Sequence, residues 1–167
     1  MAYWVRKISR GKWPEKIIPV DDMPADIISK DLRTEKNTLS FWRIENLDDL
    51  ERAALALAAS SKSTSIETIE VVYIPEEDIY SASFEVDDNS PGDTIVPDLA
   101  KMHRDLCALN FRKLGMISSL INNNIHQDHC QRFTKSCVKK LLKQAYIDQR
   151  ICKDKCADDL YIEISKP

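Results

Sequence analysis

The stretch IETIEVVYI at residues 66–74 decides the fold class, because it is the strongest strand signal in the chain. Its β-branched and aromatic residues favour a strand, and Pro75 is expected to end it. YWVRKI (3–8) is similarly aromatic and β-branched, and TLSFWRI (38–44) alternates in the way that strands do. Alternation at residues 80–86 predicts a further strand. The chain therefore contains a sheet with strands in its N-terminal half.

Helical patterns alternate with these strands. Pro24 marks a helix start, and Asn46 is a suitable N-cap for a helix that presents apolar residues at helical spacing. After Pro97, the same spacing predicts a long helix that an asparagine run interrupts, followed by a basic amphipathic helix over roughly residues 125–149. Residues 160–165 alternate and predict a last strand.

This order of elements predicts an α+β (or α/β) fold. We expect a mixed β-sheet of about four to five strands with covering helices and a helical C-terminal half. A chain of 167 residues fits a single domain, 1–167. Within it, the α/β part spans about 1–96 and the helical part about 97–158.

The composition excludes several classes of protein. Only three glycines are present, which excludes the Gly-rich loops that cradle phosphates. No apolar run approaches the roughly 20 residues of a membrane span, and the N-terminus has no signal-peptide core. Five cysteines in a chain of this kind are expected to be reduced thiols, so we predict a cytoplasmic protein that does not bind membranes.

Charge is strongly segregated along the chain. Residues 45–98 carry two basic and fourteen acidic side chains, a net charge of −12. Residues 99–156 carry twelve basic and four acidic side chains, a net charge of +8. The two blocks either neutralise each other within the fold or each face a partner. An acidic surface suits the recognition of a basic protein, because complementary fields speed and select encounters. The predicted partner-binding residues are Asp48, Asp49, Glu51, Glu76, Glu77 and Asp78.

The basic block suggests an alternative partner. Its charges follow one stripe of the predicted helix, which is the electrostatic footprint of nucleic-acid binding. The candidate residues are Arg132, Lys135, Lys139 and Lys143. A solvated helix face is the simpler explanation of the same pattern.

A cluster of histidines and cysteines raises the question of a metal. His126 and Cys130 are four residues apart and would share one helical face, and Cys152 and Cys156 form a second pair. Zinc takes four tetrahedral ligands of these types, often as two close pairs. The usual zinc-finger spacing is absent, so buried cysteines are the simpler interpretation. We predict no cofactor other than this possible zinc ion.

HRDLCALN at residues 103–110 resembles the catalytic-loop signature of protein kinases. The resemblance implies an Asp105 that orients a substrate hydroxyl and an Asn110 that holds magnesium. The other kinase signatures are missing, so we reject that activity. A small enzyme with a different pocket near Arg33, His103 and Asp105 is retained as an alternative.

We therefore predict a non-enzymatic protein–protein interaction subunit, with segregated acidic and basic surfaces. An adaptor in a multi-subunit assembly, or an immunity or antitoxin-type neutraliser, fits this pattern. The alternatives are a nucleic-acid-associated protein and the small enzyme.

Overall fold

One six-stranded antiparallel sheet organises the molecule, as seen in a computed structural model that describes residues 1–166. The strand order is β4-β5-β2-β1-β3-β6, and every neighbouring pair is antiparallel. The strands are β1 (Tyr3–Ile8), β2 (Leu39–Ile44), β3 (Ile69–Pro75), β4 (Glu85–Asp87), β5 (His103–Cys107) and β6 (Cys130–Phe133).

Six α-helices cover the two faces of this sheet. They are α1 (Ala25–Lys30), α2 (Leu50–Ala58), α3 (Glu76–Ser81), α4 (Phe111–His126), α5 (Lys135–Ile147) and α6 (Asp158–Ser165). Helices α2, α5 and α6 bury their apolar sides on one face, and α1, α3 and α4 bury theirs on the other. No helix within residues 1–166 is long and apolar enough to cross a membrane.

Alternation along the strands creates two cores. In β1, Trp4 packs into one core and Val5 into the other, and both side chains are fully buried. The central strand β3 is apolar on both sides, with Val71 facing one core and Val72 the other. A strand buried on both faces reads as a nearly continuous apolar run, which explains the composition of residues 66–74.

The predicted α+β class and the helical C-terminal half are confirmed, with about 46% of the chain in helices. The sheet has six strands, and two of them, β5 and β6, come from the part of the chain after residue 97. The N-terminal and C-terminal parts of the chain thus share one sheet.

Five secondary-structure predictions are wrong in whole or in part. The asparagines at 122–124 do not interrupt a helix, because α4 continues through them to His126. The predicted helix over residues 125–149 is instead divided by strand β6, and α5 begins only at Lys135. Residues 76–81 are helical, because three acidic residues directly after Pro75 favour a helix start. Residues 103–107 form β5, and helix α4 begins only after Asn110, whose side chain caps it. Residues 160–165 belong to helix α6, so their alternation is not that of a strand.

Candidate functional site

The two predicted acidic segments lie at the same end of the sheet. Strand β2 ends at Ile44 and β3 ends at Pro75, and both residues pair with Tyr3 of β1. The chain therefore leaves both strands at the same end and enters α2 on one face and α3 on the other. We call the six acidic residues at these two helix starts the acidic end: Asp48, Asp49, Glu51, Glu76, Glu77 and Asp78.

Arginines satisfy two of these six carboxylates. Arg43 binds Glu76 through two nitrogens, and Trp4 Nε1 donates to the same carboxylate at 3.2 Å. The hydrogen bond from Arg43 lowers the pKa of Glu76, and that from Trp4 lowers it further, against the opposing effect of burial. Arg52 binds Asp49 at 2.9 Å.

The remaining four carboxylates form no ion pair within residues 1–166, namely Asp48, Glu51, Glu77 and Asp78. Most of them lie at the first turns of α2 and α3, where the helix dipole stabilises a negative charge by about 0.3–1 kcal/mol. Local structure thus tolerates these charges without neutralising them, and three of the four side chains are exposed.

A small depression with cationic walls borders the acidic end. It has a volume of about 350 Å³ and contains four basic side chains beside Glu45 and Asp49. The basic side chains are Arg43, Arg52, Lys101 and Arg104. This end of the sheet therefore carries both positive and negative charges, and the four carboxylates without an ion pair lie outside the depression.

The predicted basic stripe lies mostly on α5. Lys135, Lys139 and Lys143 recur every fourth residue along this helix, whereas Arg132 belongs to strand β6. Arg132 lies 4.0 Å from Glu70, and the three lysines form no ion pair within the described residues. No ion pair joins the stripe to the acidic end, so these two surfaces do not neutralise each other inside the fold.

The histidines and cysteines predicted as zinc ligands are spread over separate elements. Helix α4 ends at His126, because Asp128 adopts a φ of 60° and starts a new direction. Cys130 opens β6, and Cys152 and Cys156 flank a 3₁₀ turn after α5. The shared helical face predicted for His126 and Cys130 is therefore wrong.

The surroundings of these residues also lack the features of a metal centre. Within residues 1–166, no group of three or more His, Cys, Asp or Glu side chains is arranged to hold a metal ion. His126 Nε2 lies 3.2 Å from the carbonyl oxygen of Pro14. Burial, assisted by Asp158, raises the pKa of the Cys156 thiol.

A polar cleft opens where strands β1 and β2 separate. The two strands pair only as far as Val5 and Trp42, and the guanidinium of Arg6 enters the gap beyond them. Arg6 donates to the backbone carbonyls of Asp31 and Ser40. The cleft has a volume of about 550 Å³.

The floor of the cleft consists of side chains from β2 and β5. Asp105 pairs in register with Ser40, whose Oγ donates to its Oδ1 at 2.8 Å. His103 Nδ1 lies 3.0 Å from the carbonyl oxygen of Ser90. Because a carbonyl only accepts, this nitrogen carries the hydrogen in the neutral ring, and Nε2 lies 3.7 Å from Asp105 Oδ1. His103 and Asp105 are 7% and 8% exposed.

The three residues of the predicted pocket, Arg33, His103 and Asp105, all line this one cleft. Ser40 donates to Asp105 and not to His103, so the floor is not the serine–histidine–carboxylate relay of hydrolases. What the floor offers is a set of hydrogen-bonding groups held in fixed positions by a sheet.

Several residues of the cleft were not identified from the sequence. They come from separated segments that only the sheet brings together, and they are Arg6, Lys62, Asp87 and Asp93. Arg6 and Lys62 carried no local signal, because isolated basic residues are common on solvated surfaces.

Comparisons of this chain with protein-family models, with curated proteins and with solved structures found no match.

Proposed function

We propose that this protein is a protein-binding subunit that docks through its acidic end onto a basic surface of its partner. The observation that supports the proposal is the charge layout. Four carboxylates lie at one end of the sheet without an ion pair in residues 1–166, although four basic side chains line the depression that borders this end. A role as an adaptor of a larger assembly, or as an immunity or antitoxin-type neutraliser, is consistent with this layout.

The physical reason is that clustered like charges are costly within one chain and favourable toward an oppositely charged partner. Such a surface accelerates encounter and disfavours partners of the wrong sign. The cationic depression beside the acidic end adds selectivity, since a partner must match both signs in the right positions.

Quantitative affinity capture from an extract of the native source tests this proposal. The test variant removes the four unpaired charges isosterically: Asp48→Asn, Glu51→Gln, Glu77→Gln and Asp78→Asn. The control variant removes four exposed charges scattered over the rest of the surface: Glu15→Gln, Asp22→Asn, Asp154→Asn and Asp159→Asn. Both variants change the net charge by the same amount, so only the location of the charges differs.

We expect wild type and the scattered control to enrich the same basic protein. The acidic-end variant should lose it by about tenfold or more, because close interfacial charge pairs contribute about 1.5 kcal/mol or more each. Equal enrichment by both variants would contradict the proposal, as would a partner whose binding does not weaken with added salt.

A second candidate function is nucleic-acid binding through α5. The favouring observation is that Lys135, Lys139 and Lys143 form an unpaired stripe, with Lys153 lying 5.1 Å above the ring of Tyr161 beyond its C-terminal end. Binding of DNA or RNA should fall steeply with salt, and Lys139→Glu with Lys143→Glu should abolish it. Unchanged retention of nucleic acid by that double variant would eliminate this candidate.

We further propose a cytosolic location for the protein. All five cysteines are free thiols, which fits a reducing compartment. Fractionation of source cells, followed by immunodetection, measures this directly, and recovery in an exported fraction would contradict it.

A further inference from the structure

The polar cleft between β1, β2 and β5 contains carboxylates that already have internal donors. Asp105 accepts from Ser40, Asp87 accepts from the backbone of Asn89, and Asp93 accepts from Ser60. Burial would raise the pKa of Asp93, but hydrogen bonds from the neighbouring serines produce a net lowering. A fourth carboxylate of the lining, Glu35, forms no ion pair within residues 1–166. Three of the four acidic groups of the cleft thus accept hydrogen bonds from the protein itself.

The cationic groups of the cleft are not committed in this way. Arg33, Lys36 and Lys62 line it and form no ion pair within residues 1–166. Lys36 occupies a two-residue turn with Asn37 in which both residues have positive φ, 52° and 60°. A left-handed conformation costs about 1–2 kcal/mol for a lysine, so a strained turn places this ammonium group at the rim.

Arg6 adds a positive charge at the inner end of the cleft. Its guanidinium bonds only to backbone carbonyls, and no carboxylate contacts it within the described residues. Burial lowers the pKa of Arg6 to about 10, although Asp31 and Asp105 act in the opposite direction. A cation held away from water in this manner attracts an anionic ligand more strongly than an exposed one does.

The floor of the cleft offers hydrogen-bond acceptors rather than positive charge. His103 Nε2 has no hydrogen-bond partner in residues 1–166 and reaches the cleft beside Asp105. These two acceptors sit where ligand hydroxyls can donate to them. Within residues 1–166, the ring side chains on the walls are those of His103 and Pro91, and no Phe, Tyr or Trp offers a platform for a nucleobase.

We propose that this cleft binds a small phosphorylated polyol, such as a sugar phosphate. Its phosphate lies against Arg33, Lys36 and Lys62, and its hydroxyls face His103 and Asp105. The volume of about 550 Å³ falls within the usual size of a small-molecule site. Arginine and lysine supply the charge-assisted donors that a phosphate dianion requires. This inference stands independently of the acidic end, which lies at the opposite ends of β2 and β3.

Isothermal titration of the full chain with three probes tests the proposal. The probes are ribose 5-phosphate, ribose and inorganic phosphate. Wild type should bind ribose 5-phosphate at least about tenfold more tightly than either half of it, because both halves of the cleft are then engaged. Binding of ribose 5-phosphate no tighter than inorganic phosphate would overturn the assignment, as would no binding at all.

Variants assign the two halves separately. Arg33→Gln with Lys62→Gln should weaken ribose 5-phosphate binding at least about tenfold. The control, Lys16→Gln with Lys166→Gln, removes two exposed lysine charges elsewhere and should leave the affinity unchanged. Asp105→Asn should weaken ribose 5-phosphate but not inorganic phosphate. If the lysine control weakens binding as much as the cleft variant does, the interaction is a general charge effect and the proposal fails.

The acidic-end variant described above separates the two proposals. It should bind ribose 5-phosphate as wild type does, because its four substitutions lie outside the cleft. Loss of partner capture with retained sugar-phosphate binding is the result expected if both proposals hold. Retained partner capture would contradict the docking proposal alone, and loss of ribose 5-phosphate binding in this variant would contradict the assignment of that ligand to the cleft.

Discussion

Replacing Gly92 by alanine should destabilise the protein, because the added methyl group would collide with the buried side chains of Trp42 and His103. A Cβ built at Gly92 lies 2.5 Å from Trp42 Cη2 and 2.8 Å from His103 Cβ. Trp42 is 5% exposed and packs edge-on against His103, with ring centroids 5.4 Å apart. Both residues belong to paired strands, so neither can move away without disturbing the register of β2 and β5.

The magnitude follows from this geometry. Overpacking of a well-filled core costs about 1–3 kcal/mol. For a domain of this size, each kcal/mol lowers Tm by about 2–4 °C, so we expect a decrease of about 2–12 °C. The backbone of Gly92 is also held, since its N–H donates to the carbonyl of Ala100 at 3.2 Å.

Thermal and urea unfolding of two matched variants provides the assay. Gly11→Ala is the control, because nothing lies within 4 Å of a Cβ at that position. Its stability should stay within about 0.5 kcal/mol of wild type. Equal stability of the Gly92→Ala and Gly11→Ala variants would refute the packing of the loop at residues 88–96 against β2 and β5.

Three further predictions concern the core, a buried amide and a carboxylate. Leu142→Ala on α5 should cost about 2–5 kcal/mol in urea unfolding, because the side chain is fully buried, and a cost under about 1 kcal/mol would contradict the packing of α5 on the sheet. Asn122→Leu should leave stability unchanged or raise it, because Asn122 is fully buried and neither of its amide atoms has a hydrogen-bond partner in residues 1–166. A clear loss of stability would show that the amide does form hydrogen bonds in the folded protein. Glu76 has a folded-state pKa below its usual 4.5, so its contribution is present at neutral pH and is lost as the pH falls through that lowered pKa. Glu76→Gln should therefore reduce stability at pH 7 and flatten the loss of stability below about pH 4.5, as measured by urea unfolding across pH.

The strongest strands could be predicted because their signals are local. The range 3–8 matches β1 without error, and Pro75 is the last residue of β3. Residues 103–107 were predicted to be helical, because Leu99, Met102, Leu106 and Leu109 recur at helical spacing. The strand ends just before Ala108, which has a positive φ of 49°. An alanine does not indicate such a conformation in the sequence, because residues other than glycine rarely adopt it.

The sites were predictable to different degrees for a similar reason. The helix start at Asn46 was predicted from the sequence, whereas the helix after Pro75 was missed. That both acidic segments lie at the same end of the sheet depends on β2 and β3 both pairing with Tyr3. Arg33, His103 and Asp105 were named together and line one cleft. Arg6 reaches that cleft only because β1 and β2 separate beyond Val5, which is a property of the sheet and not of any local pattern.

Hydrogen–deuterium exchange of the purified complex with its captured partner tests the central claim most directly. We expect slowed exchange around the start of α2, at residues 47–52, and along α3, at residues 76–81, relative to the free protein. Amides along α5 and around the polar cleft should exchange at the same rate in both states. Slowed exchange confined to α5 or to the cleft, with the two acidic helix starts unchanged, would contradict the account.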